Sequence, residues 1–578
     1  MEMGTQKTKN GFPRIKTLRG RLVRGITYIN SHGMTGRGVV VNCSLFFVLC
    51  SLFLFACSQN TSVFDAGADA GGAVYGDAYI VASLSDASYL NPLLASDSAS
   101  SIPNSKIFNG LVKYDKDLKL VGDLAESFEV SKDGLEITFN LRKNIVWHDG
   151  VPFTSADVKF TYEALVNPET KTPYSSSYLS VKEFKIIDDH TFKVIYAEPF
   201  SPNLESWGMG ILPKHVFDGK DINTAGANRM PVGTGPYKFE SWKTDQKIVL
   251  TANPDYYEGK PYISKYIIKV IPDQAVQFLE LRGQKTDAVI LTPDQWNAYD
   301  SFFKYYDKYK EPAFTFTYLG FNMKREPFSD KRFRLAVQYA INKRDIIDGV
   351  LLGNGKEATG PYPPQSWAYN PNISPAEYNP EKAAALFKEL GFEDINGDGF
   401  LEYKGKPFEF TITTNQGNKQ RELSAQIIQR HLKIAGLKTN IRIIEFSSFV
   451  NQYIARREFD AVIMGWSLSI DPDQYDLWHS VKTAPREYNF LSYNNAQVDE
   501  LYEKARRVFD IEKRKEMYYK IQEIMADDPP CIFLYYPENL AALHKRFKGI
   551  VPAPAGIGHN FQEWWVPKRL QKYAFNDK

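Results

Sequence analysis

Phe459-Asp460-Ala461-Val462-Ile463-Met464-Gly465-Trp466-Ser467-Leu468-Ser469-Ile470-Asp471-Pro472-Asp473 is the stretch whose reading decides the fold. Its first half is an apolar run with β-branched residues, the pattern of a strand buried on both faces. Its second half breaks into small, polar and turn-forming residues, and Pro472 has no amide hydrogen to extend a ladder. Gly465 leaves room for backbone or ligand to come close, and Trp466 offers a large flat face with one donor. Open α/β sheets place ligands beyond the carboxyl ends of their strands. A buried strand that ends in Trp, hydroxyls and two carboxylates is therefore a candidate cleft wall. The same residues also fit a core strand running into an ordinary Asp-Pro turn.

The flanking segments extend the α/β reading. Tyr318–Asn322 reads as a strand, and Ser329-Asp330 cap a helix that puts Phe333, Ala336, Val337, Ala340 and Ile341 on one face. A second amphipathic helix covers 422–435, with Leu423, Ile427, Leu432 and Ala435 inward and Gly436 closing it, and the strand Ile441–Ile444 follows. Strand, helix and strand in that order make an α/β lobe. Helices over 498–509 and 513–526 precede a return strand, Cys531–Tyr535. Toward the amino end, Tyr79–Ser83 is a short strand opening into the polar loop Asp86–Pro92. Gly134–Arg142 alternates as a strand and Thr154 opens a helix through Ala164. Tyr266–Ile271 and Asp287–Leu291 are strands around a short helix closed by Gly283.

Several motifs recur in a recognisable order. They run Leu124-Ala125-Glu126-Ser127, Gly134-Leu135-x-x-Thr138-Phe139-x-Leu141-Arg142, Trp147-His148-Asp149-Gly150 and Phe153-Thr154-Ser155-Ala156-Asp157-Val158. Gly233–Phe239, Phe333–Ile341, Trp367-Ala368-Tyr369-Asn370-Pro371, Tyr378–Ala383, Phe459–Trp466, Gln522-Glu523-Ile524 and Pro530–Tyr536 continue the series. Together, from about residue 80 to about 537, this order resembles the extracellular solute-binding proteins of family 5, the peptide- and nickel-type receptors of ABC importers.

The resemblance implies an α/β, two-lobed periplasmic-binding-protein fold with an extra α+β domain in the first lobe. Lobe 1 would take 77–105, 203–312 and 536–578, the extra domain 106–202, and lobe 2 313–535. It implies a monomer that closes by hinge motion on a small-molecule or peptide ligand and delivers it to an ABC permease, with no catalysis and no required cofactor. Trp466, Ser469 and Asp471 are then ligand-facing, as are Trp367, Tyr369, Asn322, Tyr89 and Asn91. In the family's peptide receptors an Asp three residues after the Trp holds the peptide's ammonium; here that position is Ser469. Either Asp471 takes over or the ligand has no amine there, so sugars, opines and metal chelates stay within range. A secreted hydrolase and a structural lipoprotein are the readings from other classes.

Residues 39–56 contain the apolar core Ser44–Phe55, short for a membrane span and preceded by basic residues, which reads as a signal-peptide h-region. Leu54-Phe55-Ala56-Cys57 resembles a bacterial lipobox, so Cys57 is expected to carry lipid, 1–56 to be a signal peptide with Met34 an alternative start, and 57–76 a tether. A cleaved signal without lipid is the alternative. Of the four cysteines, Cys43, Cys50 and Cys57 lie in this region and only Cys531 is left for the folded body. The first 57 residues carry eight of the 70 basic and one of the 68 acidic residues, so the remainder is net acidic by about five, which argues against a nucleic-acid partner.

Two motifs invite other chemistry. Trp147-His148-Asp149-Gly150 could place a base beside its orienter, but no nucleophile elbow, zinc box or phosphate loop accompanies it, and a turn whose Trp packs and whose His caps is the favoured reading. Asp394, Asn396, Asp398 and Glu402 have calcium-loop spacing with Gly399 at the sixth position, whereas Gly405 stands where a bidentate Glu belongs. The alternatives are a structural calcium and a polar β-turn.

Overall fold

The Ala461–Ser467 strand is an inner strand of its sheet, as its apolar run requires. It lies parallel to Glu409–Asn415, with Ala461 opposite Ile412, and antiparallel to Thr315–Phe321, with Trp466 opposite Phe316. Ala461, Val462 and Ile463 are fully buried. Lys438–Ile444 completes the far edge of this sheet as a second parallel neighbour of Glu409–Asn415. The computed structural model describes residues 72–298 and 301–575; the leader, the lipobox with Cys57 and most of the tether lie outside the described residues. Among the described residues no helix is long and apolar enough to cross a membrane.

A second sheet surrounds Gly76–Ser83. That strand runs parallel to Ile263–Val270, which continues through the antiparallel strands Lys247–Ala252 and Tyr237–Lys243. Two chain segments join the sheets. The 14-residue strand Cys531–His544 pairs through its first half with Thr315–Phe321 and through its second half with Tyr306–Pro312 and Ala288–Ile290. Beside it, Tyr306–Pro312 passes through Ala313 and Phe314 into Thr315–Phe321, and the Ala313 N–H donates to Pro537 O at 3.3 Å. Two adjacent crossings of this kind form a hinge, because rotation at a few residues in each swings one sheet against the other.

Within 106–202 a four-stranded antiparallel sheet is ordered Ala125–Val130, Glu136–Leu141, Thr191–Tyr196, Val181–Asp188. Its Ile137, Phe139, Phe192 and Val194 join Tyr79, Tyr237 and Ile268 in one continuous core, so this region packs as part of the first lobe. The helix Ser155–Val166 starts where its chemistry predicts: Thr154 and Asp157 form a capping box.

Two expectations shift in detail. The helix read over 422–435 spans Lys419–Ile434, and its buried face is Ser424, Ala425, Ile428, His431 and Leu432. Leu423 and Ile427 are only half-buried. The small Ser424 and Ala425 face inward, and His431 is held by Asp345 at 2.9 Å, which moves the buried stripe one position along. The Trp-His-Asp-Gly segment is a packing turn. Trp147 is buried edge-on to Phe153 at 5.8 Å, and His148 accepts the Gly233 N–H through Nδ1 while its Nε2 reaches Gly235 O at 3.0 Å. Burial pushes the His148 pKa down to about 4. Asp149 pairs with His215 at 2.8 Å and not with its neighbour His148.

Candidate functional site

A cleft of about 1300 Å³ lies between the two sheets. The carboxyl ends of Glu409–Asn415 and Ala461–Ser467 open onto it, since parallel neighbours finish at the same edge. The opposing wall comes from the loop and helix after Gly76–Ser83, including Tyr89, Asp97 and Asn104, and from the segment 202–210. The lobes touch across it: the Ser176 hydroxyl meets both Asp476 carboxylate oxygens at 2.7 Å, Glu198 pairs with Arg507 at 2.9 Å, and the Lys419 N–H donates to Gln274 Oε1 at 2.8 Å. The molecule is thus in a closed arrangement.

Trp466, Ser469, Asp471 and Tyr89 line this cleft as anticipated. Trp466 is half-buried, propped edge-on by Tyr488 at 5.1 Å and by Phe490 at 5.9 Å, with part of its ring free to meet a ligand. Asp471 faces the cleft but is not free. Arg514 grips both its oxygens at 2.8 Å, a fork-to-fork pair that leaves little capacity for a ligand amine. Asp473 is likewise held by Arg506 at 2.7 Å.

The other four anticipated residues do not line the cleft. Trp367 packs edge-on against Tyr518 at 5.6 Å with the Arg514 guanidinium over its ring, and Tyr369 packs into the same cluster. Asn322 is buried and its amide donates to Arg457 O and Phe459 O, tying the start of the central strand in place. Asn91 is fully buried, with its amide on Asn228 and its carbonyl accepting the Leu93 N–H. These polar groups satisfy backbone and core partners, as buried polar groups must.

Three residues add to the site. Arg421, in the first turn of Lys419–Ile434, reaches under the central strand: a Cβ on Gly465 would stand 3.0 Å from its Nη2. The room that Gly465 leaves is therefore filled by a guanidinium. Its hydrogen-bond partner is Asn415 Oδ1 at 2.8 Å, no carboxylate among the described residues pairs with it, and burial lowers its pKa. Glu205, from the first lobe, faces the cleft beside Asp471 and Asp473. Arg486, in a left-handed backbone conformation at φ 72°, stands at the rim. It opens into a second chamber of about 600 Å³ lined also by Arg456. The cleft is acidic around Glu205 and basic around Arg421, Arg457 and Arg486.

Away from the cleft, the loop with calcium-like spacing is the turn of a hairpin, Phe392–Glu393 pairing with Glu402–Tyr403. Asp394 accepts the N–H groups of Gly397 and Gly399, Asn396 Oδ1 that of Asp398, and Asp398 Oδ1 that of Phe400. Glu402 takes the Ile395 N–H and the Asn396 amide. Among the described residues no three His, Cys, Asp or Glu side chains converge as an ion site. Most of the side-chain oxygens accept from the loop's own amides.

The oligopeptide-binding protein AppA of Bacillus subtilis is 34% identical over 528 residues, covering 90% of this chain and 97% of the relative. Its structure in complex with a nonapeptide superposes with a TM-score of 0.83 at 34% identity, over 86% of this chain and all of that one. NikZ from Campylobacter jejuni in complex with Ni(L-His) follows at a TM-score of 0.78 and 30% identity, covering 85% of this chain and 99% of that one. The model of bacterial extracellular solute-binding proteins, family 5 (middle region), matches residues 119–517. With that match over a cleft built between two hinged α/β lobes, the chain belongs to the family 5 bacterial extracellular solute-binding proteins.

Proposed function

We propose that this chain is the extracytoplasmic receptor of an ABC importer and that it encloses an oligopeptide between its lobes before handing it to the permease. The observation that carries this reading is the cleft itself. At about 1300 Å³ it exceeds the roughly 300–1,000 Å³ usual for small-ligand pockets, and a further chamber shares Tyr89, Asn451 and Arg486 with it. An extended ligand of several residues needs such length, and a short solute would leave much of it to water. Glu205 and Arg421 both face the cleft, and this pairing of charge signs suits a ligand that carries an ammonium and a carboxylate. Peptide complexes of the Bacillus relative and of DppA from Helicobacter pylori, with the peptide STSA, support the same class.

Mass spectrometry of the small molecules released when freshly purified protein is denatured tests this. Peptides at near-stoichiometric yield are the expected result. A sugar, opine or chelate at that yield overturns the peptide reading.

The anchor belongs to the same proposal. Lipid on Cys57 would hold the receptor at the membrane as a monomer within reach of its permease, with 57–76 as tether. Cys57→Ser should shift the protein from the membrane fraction to the soluble or unprocessed fraction. Unchanged partitioning and processing would contradict the lipobox.

A further inference from the structure

Resting on the peptide reading, we propose that Glu205, supplied by the first lobe, is the residue that holds the ligand's terminal ammonium. All but one of the carboxyl groups described as facing the cleft are already satisfied. Asp97 caps a helix through the Ser100 N–H and hydroxyl, and Asp471 and Asp473 are paired with Arg514 and Arg506. Asp476 and Glu487 share Lys482, and Glu538 pairs with Lys310 at 2.6 Å. Among the described residues Glu205 is the remaining one, with neither a cation nor a helix cap. Its neighbours are the Tyr114 hydroxyl, the Asp471 backbone N–H and the carboxylates of Asp471 and Asp473.

That environment is costly for a carboxylate without a counter-charge. Burial first, then the Asp471 charge, push the Glu205 pKa up to about 7. A ligand ammonium in the cleft reverses both effects, because it supplies the missing cation in a place shielded from water. The location is apt, since Ser469, two residues before Asp471, is exposed on the facing wall and leaves the approach open. Asp471 does not compete for the amine, since Arg514 occupies both its oxygens.

The pH dependence follows with a definite sign. The groups facing Glu205 are Tyr114 from the first lobe and Asp471 and Asp473 from the second, whose charges their arginine partners offset only in part. Below about pH 7 a proton occupies Glu205 in the empty cleft and competes with the ammonium. Affinity for free-amine ligands should therefore fall about fourfold between pH 8 and pH 6, protonation of the ligand's own α-amine offsetting part of the loss, and that for acetylated ligands should not.

The test uses a degenerate nonapeptide library free of Lys and Arg, half of it N-acetylated, offered to ligand-stripped protein at pH 8 and read by mass spectrometry of the retained fraction. Wild type should enrich free-amine peptides at least tenfold over acetylated ones, and Glu205→Gln should bring that ratio to within about twofold. Titration calorimetry at pH 6.5 in buffers of different ionisation enthalpy gives the second readout. Binding of the free-amine pool should release a proton from wild type and none from Glu205→Gln. If wild type retains both pools equally, or the variant keeps its preference, the assignment is wrong although the peptide reading stands. If neither pool is retained, the peptide reading falls and the assignment with it.

Discussion

At the residue scale, Trp466 and Trp478 separate binding from folding. Trp466 is half-buried and presents its ring to the cleft, whereas Trp478 is 1% exposed within the core of the second lobe. Trp466→Ala should lose about 1–3 kcal/mol of ligand binding, roughly five- to 150-fold in Kd, with little change in melting temperature. Trp478→Ala should cost about 3–5 kcal/mol of stability, and its folded fraction should bind normally. Calorimetry and thermal melts on both variants check this; a Trp466→Ala protein that binds as wild type would remove that ring from the site. Trp466 was legible because chain order alone puts it at the end of a buried strand. Trp367, Tyr369, Asn322 and Asn91 were misread because local sequence reports a side chain's chemistry but not its facing. Trp367 is claimed by Arg514, far along the chain. Arg421 could have been found, since it opens the helix after a strand parallel to the central one. Glu205 carries no local signal, because its setting is created by Tyr114 and by Asp471 and Asp473 of the opposite lobe, all distant along the chain.

At the element scale, the strands and the helix caps of both lobes follow from the sequence, whereas helix facing follows only in part. Thr154 and Asp330 start their helices through side-chain caps, a short-range effect. The facing of Lys419–Ile434 depends on Asp345, which reaches His431 from another helix, so apolar spacing alone placed the stripe one residue off. The hairpin loop at 394–402 teaches a related lesson. Calcium loops and self-closed turns share their spacing of oxygens and glycines, and what distinguishes them is where the oxygens point. Here Asp394, Asn396, Asp398 and Glu402 accept the loop's own donors. Adding a chelator should therefore leave the melting temperature unchanged. A fall of several degrees that calcium restores would contradict this reading of the loop, by the linkage expected of an ion bound to the native state.

At the scale of the whole molecule, two features combine. The paired crossings at Pro312–Thr315 and Tyr536–Glu538 let two lobes move as bodies, and the contacts Ser176–Asp476, Glu198–Arg507 and Gln274–Lys419 can form only when they are together. Few of these contacts lie deep in a core, and exposed ion pairs contribute at most about 1 kcal/mol each. Contacts from Ser201 to Arg506 and Ala505 and from Tyr174 to Tyr488 also cross between the lobes, and a ligand adds to them by burying itself in both walls. None of this balance was readable from sequence, because each contact joins residues more than a hundred positions apart. Closure upon ligand is the account's central claim, and small-angle X-ray scattering on ligand-stripped protein tests it most directly. Titration with the free-amine nonapeptide pool should lower the radius of gyration in step with occupancy, to the value calculated for the closed arrangement described above. Full occupancy with no change in the radius of gyration would contradict it.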